Sequence, residues 1–235
     1  MSLQLGFDGA VKLTGSDDES LRQCLTLTRE RYRGFVAAID AGESPKAVYW
    51  RLVFAILSVH SPLSATFAAY STLRLWKARF SRMPSHRKLH SLLLIAKSSD
   101  GNVTQYCYAK ATYIIDFDKA WQQDSSRFFR NGESDADWRT RIQRNVRGLG
   151  LAKASFAVCL SSPTTADICC VDTHIFALFM GRVPGKAIGK RTYLAIEERI
   201  RKLAREHGLS TFATQWALWD AHRGIVNAHS ALATI

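Results

Sequence analysis

The chain has 235 residues, 47% hydrophobic and 22% charged, enough to bury a core as one domain or as two small lobes. Its 32 Lys and Arg against 20 Asp and Glu leave a formal charge of +12, which points to a polyanionic partner, nucleic acid ahead of a membrane surface. No stretch reaches the roughly 18 uninterrupted apolar residues of a transmembrane helix. The most apolar run, Val53 to Tyr70, is broken by His60 and Pro62, and Met1 to Asp18 does not read as a signal peptide. These features predict a soluble intracellular protein that makes no use of a membrane.

Helical periodicity runs through most of the chain. Ser16-Asp17-Asp18-Glu19 reads as a capping box before an amphipathic helix to about Ala41. Ser44-Pro45 opens a second helix with Tyr49, Leu52, Val53 and Ile56 as its apolar stripe, and Ser61-Pro62 repeats that opening for a third. Val59-His60 then falls at a tight corner between the two. Leu92–Ala96 and Thr104–Tyr108 flank the turn Ser98-Ser99-Asp100-Gly101-Asn102 and read either as a short hairpin or as two helices joined by a loop. Ser134 is an expected N-cap for a basic helix to Arg147. Gly148-Leu149-Gly150 joins it to an apolar helix, and Ile168–Val171 is a strand-like run before a helix from Ile175 to Met180. Thr192–His207 and Ser210–His222 form two more helices, separated at Gly208. The class is mainly α, with any sheet a small addition.

The five cysteines, Cys24, Cys107, Cys159, Cys169 and Cys170, form no Cys-x-x-Cys pair and no spacing suited to zinc or an iron–sulfur cluster. Reduced thiols, no metal and no cofactor are expected. The basic excess is clustered. Arg74, Lys77, Arg79, Arg82, Arg87 and Lys88 occur between Leu73 and His90, and Arg139, Arg141, Arg144, Arg147 and Lys153 between Trp138 and Lys153, with no acid in either run. Such a run is often only a solvated face, but it is also how proteins contact phosphates. Lys186, Lys190 and Arg191 form a weaker third patch.

Two segments carry chemistry. In the first, Gly148 and Gly150 permit a sharp turn ahead of a helix whose first N–H groups are free to bind a phosphate. In the second, Cys170-Val171-Asp172-Thr173-His174-Ile175, the carboxylate of Asp172 stands where an N-cap belongs. Together they resemble the helix–hairpin–helix–GPD superfamily of DNA glycosylases, which includes the endonuclease III, adenine-mismatch and 8-oxoguanine enzymes. Val171-Asp172-Thr173-His174-Ile175 matches that family's second signature almost letter for letter. Leu52 to Ser61 is similar to its early helix and DNA-probing loop, and Gln215 to Gly224 to its closing helix. The resemblance spans about residues 45–225 and is clearest over 141–182.

The resemblance implies a two-lobed helical glycosylase fold over 1–235. About 45–145 would form a central helical lobe and about 146–182 the helix–hairpin–helix and catalytic Asp segment, with 1–44 and 183–235 completing the second lobe. It implies an enzyme that flips a damaged or modified base out of double-stranded DNA and cleaves its N-glycosidic bond. Asp172 would be the essential carboxylate, Gly148 and Gly150 would hold a phosphate with Arg144 and Arg147, and His60 would fill the gap left by the base. Trp216, Trp219 and Asp220 share one helix face and are candidates for the base pocket, with core packing as the alternative. Tyr106 and Tyr108 are candidate stacking residues. The expected state is a monomer, cytoplasmic (nucleoid-associated) or nuclear. Repair and defence against modified phage DNA read alike at this level, and a non-catalytic DNA-binding module is the rival class.

One departure bears on mechanism. Members that also cut the strand carry a lysine two residues after the second hairpin glycine, where this chain has Ala152; Lys153 follows one residue later, 19 residues before Asp172. Either Lys153 is a Schiff-base amine or water attacks and Lys153 contacts phosphate. The Gly-to-Lys spacing favours water, the Lys-to-Asp spacing the amine; because the hairpin fixes the first turn of its helix more tightly than a loop of variable length fixes Asp172, hydrolysis that leaves an abasic site is the expectation, with a Lys153 lyase as the alternative. The iron–sulfur branch is disfavoured by the missing cysteines.

Overall fold

A computed structural model describes residues 3–5, 11–13, 17–39, 44–225 and 232. In chain order the elements are β1 (Leu3–Leu5), β2 (Val11–Leu13), α1 (Asp18–Ala38), α2 (Pro45–Leu57), α3 (Leu63–Phe80), α4 (His86–Ile95), α5 (Cys107–Gln123), α6 (Asp135–Asn145), α7 (Leu151–Ser161), α8 (Thr173–Met180), α9 (Lys190–His207) and α10 (Thr211–Arg223). A 3-10 turn, Ser125–Phe128, follows α5. The protein is mainly α, and no described helix is long and apolar enough to cross a membrane. Two units divide the chain, Glu43–Ala157 and the pair of segments Met1–Gly42 and Val158–Ile235.

In the Glu43–Ala157 unit, α2 is buried all round. Every residue from Val48 to Leu57 is buried, as expected of a helix without a polar face. Ser44 caps it by accepting from the Ala47 N–H, with Pro45 in the first turn. Trp50 and Phe54 meet Tyr70 of α3 edge-on, at 5.7 and 5.3 Å between ring centroids. Tyr49 packs on Phe117 and Trp121 of α5. The Tyr49 hydroxyl and the Lys77 ammonium both donate to Asp118, at 2.5 and 3.1 Å. Ser134 caps α6 as its position in the sequence predicts. Pro62, not Ser61, is the N-cap of α3, because the Ser61 hydroxyl is engaged elsewhere: it accepts from the Gln105 amide and from Lys110. The Leu92–Ala96 and Thr104–Tyr108 segments adopt the helical alternative. They become the ends of α4 and the start of α5, leaving one isolated bridge between Lys97 and Val103.

In the other unit, Asp17 caps α1 by accepting from the Ser20 N–H. Ser16 and Ala41, the expected ends of that helix, lie outside the described residues. The helix α1 packs along α10 through Tyr32, Phe35, Phe212 and Trp216. The described sheet is β1–β2, antiparallel with Leu3 opposite Leu13 and Leu5 opposite Val11. Ile168–Val171 is apolar and buried but is not a strand. Its backbone groups are satisfied by side chains of α9: the Tyr193 hydroxyl donates to the Cys169 carbonyl at 2.6 Å and accepts from the Val171 amide at 3.2 Å, while Glu197 accepts from the Cys169 amide at 3.1 Å. Tertiary partners replace the ladder that the pattern suggested. The segment delivers Asp172 to the start of α8.

Candidate active site

Asp172 is the N-cap of α8. Its Oδ1 accepts from the His174 and Ile175 amides at 3.0 and 2.9 Å, and its Oδ2 accepts from the indole Nε1–H of Trp219 at 2.9 Å. Three N–H donors therefore fix both oxygens of a half-buried carboxylate, and among the described residues it forms no ion pair. Trp219 is held in turn. The Arg223 guanidinium lies 4.7 Å from its ring centroid, His174 meets it edge-on at 5.5 Å and Trp216 at 5.1 Å. The His222 ring stands 6.5 Å from that of His174. Burial, and next the neighbouring His174, push the His222 imidazole below its ordinary value, against the pull of Asp172.

The expected pocket trio separates. Trp219 reaches Asp172. Trp216 is a core residue of its unit, enclosed by Phe35, Phe212 and Trp219. Asp220 is buried and accepts from the Tyr32 hydroxyl at 2.6 Å, joining α1 to α10. For these two the packing alternative is the one the geometry favours. The sequence reading passed over Gln215, one turn before Trp219 on the same face. It is 3% exposed, and its carboxamide oxygen has no hydrogen-bond partner among the described residues. A buried acceptor left open is costly unless a ligand closes it.

In the Glu43–Ala157 unit, the five residues between α6 and α7 form the hairpin. Gly148 has φ +89°, and a Cβ there would lie 2.3 Å from Cδ2 of Tyr113. Gly150 differs: a Cβ would meet nothing within 4 Å, so its backbone stays open to an approaching ligand. Leu149 anchors the turn in the core at 4% exposure, and the first amides of α7 follow. Beside it, Arg144 is exposed, and Arg147 pairs with Asp116 at 3.3 Å with its guanidinium over Tyr113. Arg139 and Arg141 serve the fold instead. Arg139 is buried and donates to Ser155, and Arg141 binds Glu133 and the carbonyls of Arg127 and Phe129. The runs that are acid-free in sequence are therefore partly neutralised in space, with Asp116, Asp118 and Glu133 supplying the counter-charges.

His60 stands exposed at the corner between α2 and α3 with φ 50°, and its ring lies 5.6 Å from Tyr106, itself at φ 54°. Two adjacent non-glycine residues in the left-handed region hold strain of the kind found at functional loops. Tyr108 is exposed, with the rings of His86 and His90 edge-on to it at 4.7 and 5.8 Å. Lys153, third residue of α7, is half-buried with its ammonium 5.4 Å from the Phe156 ring centroid. No group of metal-ligating side chains exists among the described residues, and all five cysteines are free and buried.

Comparisons with known proteins agree on one family. Residues 28–209 match the sequence profile of Ogg-HhH, the 8-oxoguanine DNA glycosylase family. No curated protein sequence matches significantly. The fold is shared with solved structures: the 8-oxoguanine DNA glycosylase of Thermotoga maritima has TM-score 0.68 at 18% identity, covering 88% of this chain and 96% of that one. The Methanocaldococcus jannaschii 8-oxoguanine DNA glycosylase gives 0.69 at 16%, covering 88% and 94%. The M. jannaschii 8-oxoguanine glycosylase/lyase bound to a 15mer DNA containing 8-oxoguanine gives 0.68 at 18%, covering 88% and 98%.

Proposed function

The chain belongs to the 8-oxoguanine DNA glycosylase family, and from that premise we propose that it excises 8-oxoguanine from double-stranded DNA in base-excision repair, working beside the genome in nucleoid or nucleus. As a DNA N-glycosylase it cuts the bond between a damaged base and its deoxyribose, so the inert binding module is set aside. The observation that carries the reading is Asp172, a carboxylate fixed by three N–H donors in a protein of formal charge +12 and engaged by no cation among the described residues. Such a group stabilises the oxocarbenium-like sugar as the base departs, or orients the attacking nucleophile. It is preorganised, so little reorganisation is needed at the transition state. The open carboxamide of Gln215 suits the N–H edge of a flipped purine, with Trp219 beside it. The hairpin amides around Gly150 and the exposed Arg144 suit the phosphates.

A second reading has its own support. Lys153 is packed against Phe156 rather than extended into solvent. That favours the amine over the simple phosphate contact, and with it strand cleavage through a Schiff base after the base has left. The direct test is a panel of duplexes, each with one modified base, incubated with and without later alkali. Release of free 8-oxoguanine is the expected result. Release of a different base with 8-oxoguanine untouched overturns the substrate assignment.

A further inference from the structure

No acidic residue occurs between Glu43 and Asp100, so α2, α3, the turn after α3 and α4 supply no carboxylate of their own. Asp118 of α5 reaches α3 and pairs with Lys77, but the turn beyond keeps its charge. Met83 and Pro84 are buried and pin the turn. Around them Arg79, Arg82, Arg87 and Lys88 are exposed and form no ion pair among the described residues. Two of these cations are held by rings instead. Trp76 and Phe80 lie one turn apart on α3, with 4.3 Å between their centroids. The Arg79 guanidinium stands 5.4 Å from the Phe80 ring, and the Lys88 ammonium of α4 stands 5.8 Å from the Trp76 ring. A carboxylate partner would orient these groups and cancel their charge. A ring orients them and leaves the charge to act outward.

We propose that the α3–α4 turn is a second DNA-binding surface, separate from the hairpin, which takes the phosphates of the duplex flanking the lesion. This rests on the reading of the chain as a DNA glycosylase with His60 at the lesion. Helix α3 begins just beyond the His60 corner and ends at this turn. Its 18 residues span about 27 Å, a distance that one DNA strand covers in about eight nucleotides. The surface therefore meets DNA about eight base pairs from the damaged base. Its rings serve the cations, and those cations fit phosphates rather than unstacked bases, so the partner is double-stranded DNA. Such a contact reads no sequence. It lengthens the footprint and keeps the enzyme on the duplex while base pairs are tested at the corner. The hairpin and the turn both belong to the Glu43–Ala157 unit, so the spacing between the two contacts is built into one unit.

The test compares affinity for two lesion duplexes, one of about 13 base pairs that ends before the turn and one of about 29 that passes it on both sides. Wild type should bind the longer duplex at least about fivefold more tightly, with a log–log salt slope steeper by about two. The double variant Arg82→Gln/Arg87→Gln removes two exposed charges and disturbs no packing, so its unfolding temperature should match wild type. It should lose most of the length advantage and of the extra slope. Its affinity for the short duplex should stay within about twofold, because salt screens charges beyond about 8 Å. Arg144→Glu at the hairpin should instead weaken both duplexes alike and keep the advantage. Extending the short duplex on one side only should restore the gain for one arm and not for the other. A double variant that keeps the full length advantage overturns the proposal, as does an equal gain from either arm, which is what added non-specific sites alone would give. A length advantage of this kind without release of 8-oxoguanine supports the surface and overturns the substrate assignment; no binding to either duplex overturns both.

Discussion

Replacing Asp172 with asparagine separates chemistry from architecture, because the new side chain keeps its size and one oxygen for the His174 and Ile175 amides. Its amide nitrogen would face the Trp219 N–H donor to donor, so a modest loss of stability, on the order of 1 kcal/mol, is expected. Single-turnover base release should fall by at least about a hundredfold with duplex binding intact; a folded variant that keeps more than roughly a tenth of the rate would remove Asp172 from catalysis. Trp219→Phe is the subtler probe. It keeps an aromatic ring near His174 and Arg223 but removes the donor to Oδ2 together with the rest of the indole. The excision rate should drop roughly tenfold while substrate affinity holds, the worth of one hydrogen bond to a charged group. Asp172 was legible in the sequence because Val-Asp-Thr-His is contiguous and opens a helix. Its indole partner was not, since 47 residues separate the two and a tryptophan facing inward has the same spacing whether it packs or donates. Gln215 and Lys110 were hidden for the same reason. What marks them is an acceptor left without a donor in one case and a buried amine in the other, and neither leaves a trace in local pattern.

The hairpin makes an argument about elements through its two unlike glycines. Gly148 is required twice over, by a left-handed φ and by Tyr113 pressed against its α-carbon. Gly148→Ala should therefore lower the unfolding free energy, measured by denaturant titration, by about 2 kcal/mol or more, with the hairpin displaced from α5. Gly150→Ala adds a methyl into open space, so its unfolding curve should match wild type while affinity for any duplex falls several-fold, as expected if backbone must approach phosphate there. Equal stability losses in the two variants would contradict this division of labour. Helix ends were readable where a cap acts on its own first turn, as at Ser44, Ser134 and Ser210. They were misread where a distant group competes. Ser61 resembles Ser44 in sequence, yet the Gln105 amide and Lys110 claim its hydroxyl. Likewise Ile168–Val171 has a strand's composition, but Tyr193 and Glu197 take its backbone groups. Local rules gave way at the points where one helix bonds to another.

At the scale of the whole molecule the question is how much of the +12 charge DNA can use. Sequence order suggests two acid-free basic runs, but folding withdraws several members: Arg139 and Arg141 into structural bonds, Lys77 to Asp118 and Arg147 to Asp116. Arg79, Arg82, Arg87, Lys88 and Arg144 remain exposed without an ion pair among the described residues. A footprint of about three to five phosphates, drawn from these and the hairpin amides, gives log affinity against log salt a slope near −3 to −4.5. Arg144→Glu should weaken binding to lesion and undamaged duplexes alike and flatten that slope by about one or two units, since a phosphate contact carries no sequence information. Arg139→Glu should behave differently although it lies on the same helix. It replaces a buried guanidinium beside Ser155 with a carboxylate, so it should lower the melting temperature sharply before any effect on binding can be read. The pair of measurements, salt-dependent anisotropy and thermal unfolding, distinguishes charge that faces DNA from charge that holds the fold. A flat salt response in wild type, or an Arg139→Glu protein as stable as wild type, would refute the partition.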